Sequence, residues 1–122
     1  RALPLPVSAP FHSSLMKPAA EQLRERLAET AFATPQISVL NNIDVQVEID
    51  AARIRDALVR QAFGPVRWVE CVRHIKTMGI TQVVECGPGK VLAGLTKRID
   101  AELTGLAMYD PSTLADVKGA LA

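Results

Sequence analysis

The first residue of this chain that could carry chemistry is a histidine behind a proline-containing segment. His12 follows Pro10 and Phe11, and it precedes a pair of serines. An imidazole titrates near neutral pH, so it can both accept and donate a proton in a reaction. Extended chain before the ring and a helix after it would present it to a cleft. On chemistry alone, a polar loop residue is the better interpretation of His12, because lone histidines are common.

Serines near this histidine supply hydroxyl groups but no convincing nucleophile. Ser8, Ser13 and Ser14 lie within four residues of His12. A hydroxyl becomes a nucleophile when a base contacts it, and the side chains of sequence neighbours diverge instead of meeting. The Gly-x-Ser-x-Gly elbow that exposes a serine at the top of an α/β sheet is absent from the sequence. These residues therefore indicate a base without its nucleophile.

Two further patterns are better explained by structure than by chemistry. Cys71 and His74 lie three residues apart, but a structural zinc site needs about four ligands and no second pair follows. We therefore predict a buried cysteine, an exposed histidine and no metal site. Gly87–Lys90 sits between a predicted strand and a predicted helix, yet Val91 stands where a phosphate loop needs serine or threonine. A tight turn is the better interpretation.

Five helices are predicted from apolar residues at helical spacing and from the residues that begin and end helices. The first is capped by Ser13 or Ser14 and stops before Thr34-Pro35. The second begins at Asp50, buries Ile54, Ala57, Leu58 and Ala62, and ends at Gly64-Pro65. The other three cover Val69 to a left-handed cap at Gly79, Lys90–Ile99, and a final helix from Asp110 to Leu121.

Extended segments alternate with these helices. Leu3–Val7, Ile37–Leu40, Thr81–Cys86 and Leu103–Tyr109 are predicted to be extended, and 43–49 alternates apolar with polar residues, which indicates a strand or an ordered loop. Strands that alternate with helices imply parallel pairing. The predicted class is therefore α/β, with short parallel strands flanked by helices.

Composition excludes several classes of protein. The 122 residues include 14 basic and 13 acidic ones, which argues against nonspecific nucleic-acid binding. No apolar run approaches the roughly 20 residues that cross a bilayer, and no signal peptide is recognisable. Cys71 and Cys86 fall inside predicted elements, which favours a reducing, cytoplasmic location. The chain begins at Arg1 and not at Met, so we expect a piece of a longer protein.

Four segments in order resemble the C-terminal part of the malonyl-CoA:acyl carrier protein transacylases of bacterial type II fatty acid synthesis. The resemblance covers essentially the whole chain. It is strongest in Leu3–Ala19, Val39–Val45, Leu58–Gln61 with Pro65–Trp68, and Glu85–Leu92. It implies an α/β-hydrolase-like acyltransferase core, of which residues 8–122 would be the C-terminal part. Residues 1–7 would be the exit strand or linker from a ferredoxin-like subdomain.

The resemblance also implies an activity and its residues. Members of the family move a malonyl group from coenzyme A to the phosphopantetheine thiol of acyl carrier protein, through a malonyl-serine ester and without a cofactor. The residue matching His12 is the general base of a Ser–His dyad. The backbone carbonyl matching Gln61 orients that ring. A phenylalanine such as Phe11 before the histidine accompanies malonyl over methylmalonyl in related polyketide acyltransferases.

Other parts of such an enzyme do not match any residue of this chain. The serine elbow, the arginine that pairs with the malonyl carboxylate and the oxyanion-hole donors would lie in the remainder of the same polypeptide. The isolated chain is therefore predicted to be inactive. Two alternatives stay open: an acyltransferase domain of a polyketide or type I synthase, and a non-catalytic module that binds a carrier protein.

Overall fold

The computed structural model describes residues 8–122. The predicted extended segment Leu3–Val7, and with it the interpretation of residues 1–7 as a linker, lies outside the described residues. The chain divides into two compact units, one ending at Trp68 and the other beginning at Val69. None of the helices within 8–122 has the length and apolar character needed to cross a bilayer.

In the first unit, the described residues 8–68 contain two α-helices that pack on each other. A 3₁₀ turn, Ser14–Met16, leads into α1, Lys17–Ala28, with proline in its first turn, and α2 covers Ala51–Phe63. Ala20 of α1 is fully buried. The predicted serine cap is wrong: Ser13 precedes the 3₁₀ turn, but its hydroxyl donates to the Pro10 carbonyl at 2.7 Å. A serine hydroxyl can either accept from an N–H of the helix that follows it or donate to a carbonyl that precedes it, and Ser13 does the second.

The bounds of α2 follow its capping residues. The Asp50 carboxylate accepts the Arg53 N–H at 2.9 Å and begins the helix as predicted. Ala57 is buried, but Leu58 is 37% exposed and Val59 is buried in its place, so the predicted buried face is partly wrong. Ile54 and Ala62, which were also predicted to be buried, are half-buried. Apolar spacing indicates which residues can share a helix face, whereas the residues packed against the helix decide which of them are covered.

Between α1 and α2 the structure contains no strand longer than a single bridge. The segment 36–49 is an ordered loop with one antiparallel bridge, between Leu40 and Val47. Asn41 accounts for the loop, because its side chain bonds to Asp44 N–H at 2.7 Å and to the Gln46 carbonyl at 2.8 Å. Such local bonds compete with a sheet ladder. The strand predicted at Ile37–Leu40 is therefore wrong, and of the two interpretations of 43–49 the ordered loop is found.

The second unit confirms the predicted α/β pattern. Its elements are α3 (Trp68–Thr77, which begins at the last residue of the first unit), β1 (Gln82–Cys86), α4 (Val91–Ile99), β2 (Thr104–Met108) and α5 (Pro111–Leu121). β1 and β2 are parallel, in register from Gln82 opposite Thr104 to Cys86 opposite Met108. A helical crossover between the strands permits this pairing.

Glycine and aspartate fix the ends and spacing of these elements. Gly79 has φ +81° and ends α3, as predicted. Asp110 forms a reciprocal capping box with Thr113 at the start of α5. Gly105 of β2 lies against the backbone of α4: a Cβ there would lie 3.0 Å from the Ala93 carbonyl carbon. Only glycine allows this close approach of helix and strand.

Candidate functional site

His12 lies on an exposed turn immediately before the 3₁₀ turn. Its backbone adopts φ +56°, the left-handed region, which histidine enters more readily than most residues do. The Ser13 bond to Pro10 closes the chain around it. The side chain therefore leaves the turn from a defined backbone conformation.

The imidazole of His12 contacts the C-terminal end of α2. Its Nδ1 lies 3.2 Å from the Gln61 carbonyl oxygen and 3.1 Å from the Gly64 carbonyl oxygen. Both partners only accept, so Nδ1 carries the hydrogen and donates to them. In the neutral ring, Nε2 then holds the lone pair that can accept a proton. The contact with Gln61 is present in the structure, whereas the catalytic roles of both residues stay predictions.

The end of α2 offers these carbonyls because of two residues. Within a helix, the Gln61 carbonyl would accept from the N–H four residues later, but that residue is Pro65, which has none. Gly64 is buried, and a Cβ there would collide with Ile43 Cδ1 and lie 2.9 Å from the Arg60 carbonyl oxygen. Gly64-Pro65 therefore ends the helix and leaves the Gln61 carbonyl to His12.

A second part of the site is the loop Asn41–Val45, called the 41–45 turn below. Asn42 bonds to both sides of the Gly64-Pro65 reversal: its N–H donates to Gln61 Oε1 at 2.9 Å, and its carbonyl accepts the Arg67 N–H at 3.0 Å. The Gln61 residue thus contacts His12 through its main chain and Asn42 through its side chain. The main chain of Asn42 therefore holds the segment 61–67 at two points, Gln61 and Arg67.

An ion pair joins the same turn to α2. Arg60 donates two hydrogen bonds to the Asp44 carboxylate, at 2.7 and 2.6 Å, in bidentate geometry. The hydrogen bond from Arg60 lowers the pKa of Asp44 below its ordinary value, and the pKa of Arg60 is raised in return, first by Asp44 and then by Asp56. Both partners of the Arg60–Asp44 pair are about one-third exposed, so solvent still screens the pair.

Phe11 does not form part of a packed core. Its side chain is 57% exposed on the turn beside His12. Its assignment to a substrate pocket stays a prediction.

Sequence reasoning missed two features of this site. The Gly64 carbonyl and the Gln61 side chain both take part in it, and neither was predicted. The Gly64-Pro65 pair was the available signal, because a glycine and a proline at a helix end announce carbonyls without helical partners.

The remaining candidates are the pair Cys71 and His74 and the turn Gly87–Lys90. Cys71 is buried and His74 is exposed, and residues 8–122 contain no group of three or more histidine, cysteine or acidic side chains that could hold a metal ion. At the start of α4, the Glu85 carboxylate accepts the Ala93 N–H at 2.9 Å. That carboxylate occupies the place where a helix N-terminus would bind a phosphate.

Comparison with known sequences gives close relatives. No family model matches the chain. The malonyl CoA-acyl carrier protein transacylase of Salmonella typhimurium is 54% identical over 115 residues, covering 94% of this chain and 37% of that protein. Its counterpart in Bacillus subtilis is 42% identical over 114 residues, covering 93% and 36%. The chain thus spans little more than a third of the curated relatives it matches.

Solved structures agree with the sequences. An acyl-carrier-protein S-malonyltransferase from Burkholderia pseudomallei is 67% identical with a TM-score of 0.90, over 96% of this chain and 38% of that one. A malonyl-transacylase in complex with its type II PKS acyl-carrier protein is 49% identical with a TM-score of 0.94, over 98% and 39%. Both structures share the fold of this chain at 49–67% sequence identity, which establishes its α/β class.

Proposed function

We propose that this chain, which matches the C-terminal portion of the malonyl-CoA:acyl carrier protein transacylases, is part of such an enzyme and supplies the general base of its malonyl transfer. His12 is the proposed base. The Gln61 and Gly64 carbonyls hold its ring in the tautomer with Nε2 free. The nucleophilic serine would lie in the remainder of the polypeptide, so the 122 residues alone are proposed to be inactive.

Proton transfers in the proposed reaction all pass through His12. Nε2 takes the serine hydroxyl proton as the serine oxygen attacks the malonyl thioester carbon, and the imidazolium returns this proton to the departing coenzyme A sulfur. In the second half-reaction Nε2 takes the proton of the carrier's phosphopantetheine thiol as its sulfur attacks the ester. The imidazolium then protonates the leaving serine oxygen. The first half-reaction makes the ester C–O bond and breaks the thioester C–S bond, and the second makes a new thioester C–S bond and breaks the ester C–O bond. No cofactor is needed for either.

One observation carries this proposal: His12 donates from Nδ1 to two neutral carbonyls, at 3.2 and 3.1 Å. In hydrolytic triads a carboxylate fills this place. Neutral acceptors fix the same tautomer but stabilise the imidazolium less. A thioester is already activated, so the weaker support matches that substrate class.

Further parts of the proposal concern selectivity and surroundings. Phe11 would occupy the space that an α-methyl group needs and so favour malonyl over methylmalonyl, by about 1–3 kcal/mol at most. The proposed partners are a coenzyme A thioester and an acyl carrier protein, and the proposed location is the cytoplasm. The Arg60–Asp44 pair would affect this chemistry only indirectly, by fixing the backbone around the acceptors of His12.

The direct test replaces the base in the full-length protein that contains this chain. His12→Ala should slow malonyl transfer from malonyl-CoA to carrier protein by roughly three orders of magnitude or more, measured at saturating substrates. His74→Ala is the matched control, because the sequence has two histidines and this one is exposed on α3. Its rate should equal that of the wild type.

The same experiment separates the alternatives. A His12→Ala protein with near-wild-type turnover would refute the assignment of the base. A wild-type protein that binds carrier protein but gains no malonyl mass from malonyl-CoA would instead be a non-catalytic module. If kcat/KM for transfer to a polyketide carrier protein exceeded that for transfer to a fatty acid carrier protein, the chain would be assigned to polyketide synthesis.

A further inference from the structure

We propose that the Gln61 side chain is a positioning residue for the base, acting through the backbone of Asn42. This inference rests on the proposed function, because it concerns how the imidazole of His12 is held. It assigns a role to the amide group of Gln61, whereas the orienting contact predicted above uses only its main-chain carbonyl.

Gln61 connects two places that are distant in sequence. Its carbonyl oxygen lies 3.2 Å from Nδ1 of His12, 49 residues away, and its Oε1 accepts the Asn42 N–H at 2.9 Å, 19 residues away. The Asn42 carbonyl then accepts the Arg67 N–H at 3.0 Å. Asn42 therefore holds the chain at Gln61 and again at Arg67, and the Gln61 and Gly64 carbonyls that face His12 belong to this held segment.

Asn42 can serve as an anchor because the 41–45 turn is itself fixed. Asn41 Oδ1 accepts the Asp44 N–H, and the Asp44 carboxylate takes two hydrogen bonds from Arg60. Val45 has φ +59°, which is rare for a β-branched residue. Such a conformation persists only where surrounding contacts over-determine it. The 41–45 turn is therefore a rigid support and not a flexible loop.

Loss of the amide oxygen would free the end of α2. The Asn42 N–H would lose its acceptor in a partly buried setting, and the Gln61 and Gly64 carbonyls would lose one of their two restraints. Displacement of a catalytic group by about 1 Å can cost about a hundredfold in rate. The contact to Asn42 uses the oxygen of the amide, so a glutamate at this position keeps the acceptor.

The test compares Gln61→Met with Gln61→Glu in the full-length protein, since neither change removes the main-chain carbonyl. Gln61→Met should lower kcat for malonyl transfer about tenfold or more, with the KM for malonyl-CoA changed by less than about twofold. Gln61→Glu should restore kcat to within about threefold of the wild type. A role confined to stability would lower the melting temperature and leave kcat per folded molecule unchanged.

Each outcome decides the proposal. Wild-type kcat in Gln61→Met overturns it, and so does a Gln61→Glu protein as slow as Gln61→Met. If Gln61→Met does not fold, Asp44→Asn weakens the same support from its other side, and unchanged kcat in that variant overturns the proposal. His12→Ala in parallel keeps the two proposals apart: full activity there refutes the proposed base itself, whatever Gln61 does.

Discussion

Replacing Gly64 with alanine should damage the protein in two measurable ways. The new methyl group would collide with Ile43 Cδ1 and would lie 2.9 Å from the Arg60 carbonyl oxygen. The isoleucine terminus can rotate aside, but a helix carbonyl can move only with the backbone. Because the Gly64 carbonyl is itself 3.1 Å from His12 Nδ1, the same movement displaces an acceptor of the proposed base.

The size of the stability effect follows from two opposing contributions. Overpacking of a buried site costs about 1–3 kcal/mol. Replacing glycine also restricts the unfolded chain, which returns about 0.4–1 kcal/mol. The expected net loss is about 1–2 kcal/mol in the free energy of unfolding, with malonyl transfer slowed roughly ten- to a hundredfold by the displaced carbonyl.

The assay is urea denaturation followed by circular dichroism, together with steady-state transfer, on the full-length protein. Gly94→Ala is the matched control, because a Cβ at that position in α4 meets nothing within 4 Å. It should stabilise the protein by up to about 1 kcal/mol, the helix preference of alanine over glycine. Ile43→Val in the Gly64→Ala background removes the Cδ1 collision and should recover only part of the loss.

The reasoning is refuted if Gly64→Ala matches the wild type in both denaturation midpoint and rate. If Ile43→Val restored the whole loss of stability, the close approach of the new Cβ to the Arg60 carbonyl oxygen would cost nothing. A stability loss without a rate change would separate the packing of Gly64 from its carbonyl's contact with His12.

Two further predictions concern an ion pair and a glycine. The pKa of Asp44 is lowered by Arg60, so the pair stabilises the folded state above the ordinary carboxyl pKa near 3.8 and stops doing so as pH falls through the lower folded value. The stability difference between wild type and Asp44→Asn should therefore be largest at neutral pH and should shrink below about pH 4 in urea titrations; a constant difference would contradict this. Gly105→Ala should cost about 1–3 kcal/mol, because the added Cβ would meet the Ala93 backbone of α4. Gly119→Ala, whose Cβ meets nothing within 4 Å, is the matched control and should not lower the free energy of unfolding; both variants are compared with the wild type by urea denaturation.

Prediction from sequence succeeded where local signals decide structure. Asp50, Gly79 and Asp110 begin or end helices through contacts within a few residues, and each is found where expected. β1 and β2 followed from short apolar runs separated by a helix, which leaves parallel pairing as the available arrangement.

It failed at Ile37–Leu40, where a strand was predicted, because local polar contacts outweighed the apolar pattern. At 43–49, where a strand and an ordered loop were both open, the loop forms because the Asn41 side chain bonds to the Asp44 N–H and to the Gln46 carbonyl. Alternation of apolar residues says which side chains could be half-buried. It does not show whether the backbone groups of the segment will bond to a neighbouring strand or to an asparagine side chain.

The candidate site was predictable in part. His12 was identifiable from its residue type and setting, and its contact with the Gln61 carbonyl was reached only through resemblance to a family. The Gly64 carbonyl and the Asn42–Gln61 bond join residues 52 and 19 positions apart, and periodicity carries no information at such distances.

The reversal at Gly64-Pro65 shows that residues can be essential for atoms they do not have. Gly64 admits Ile43 because it lacks a Cβ, and Pro65 leaves the Gln61 carbonyl to His12 because it lacks an N–H. Surveys that score side chains for nucleophiles, acids and ligands would pass over both positions. Mutational scans of this chain that count every tolerated amino acid, and not alanine alone, should therefore find these two among the most restricted outside the histidine.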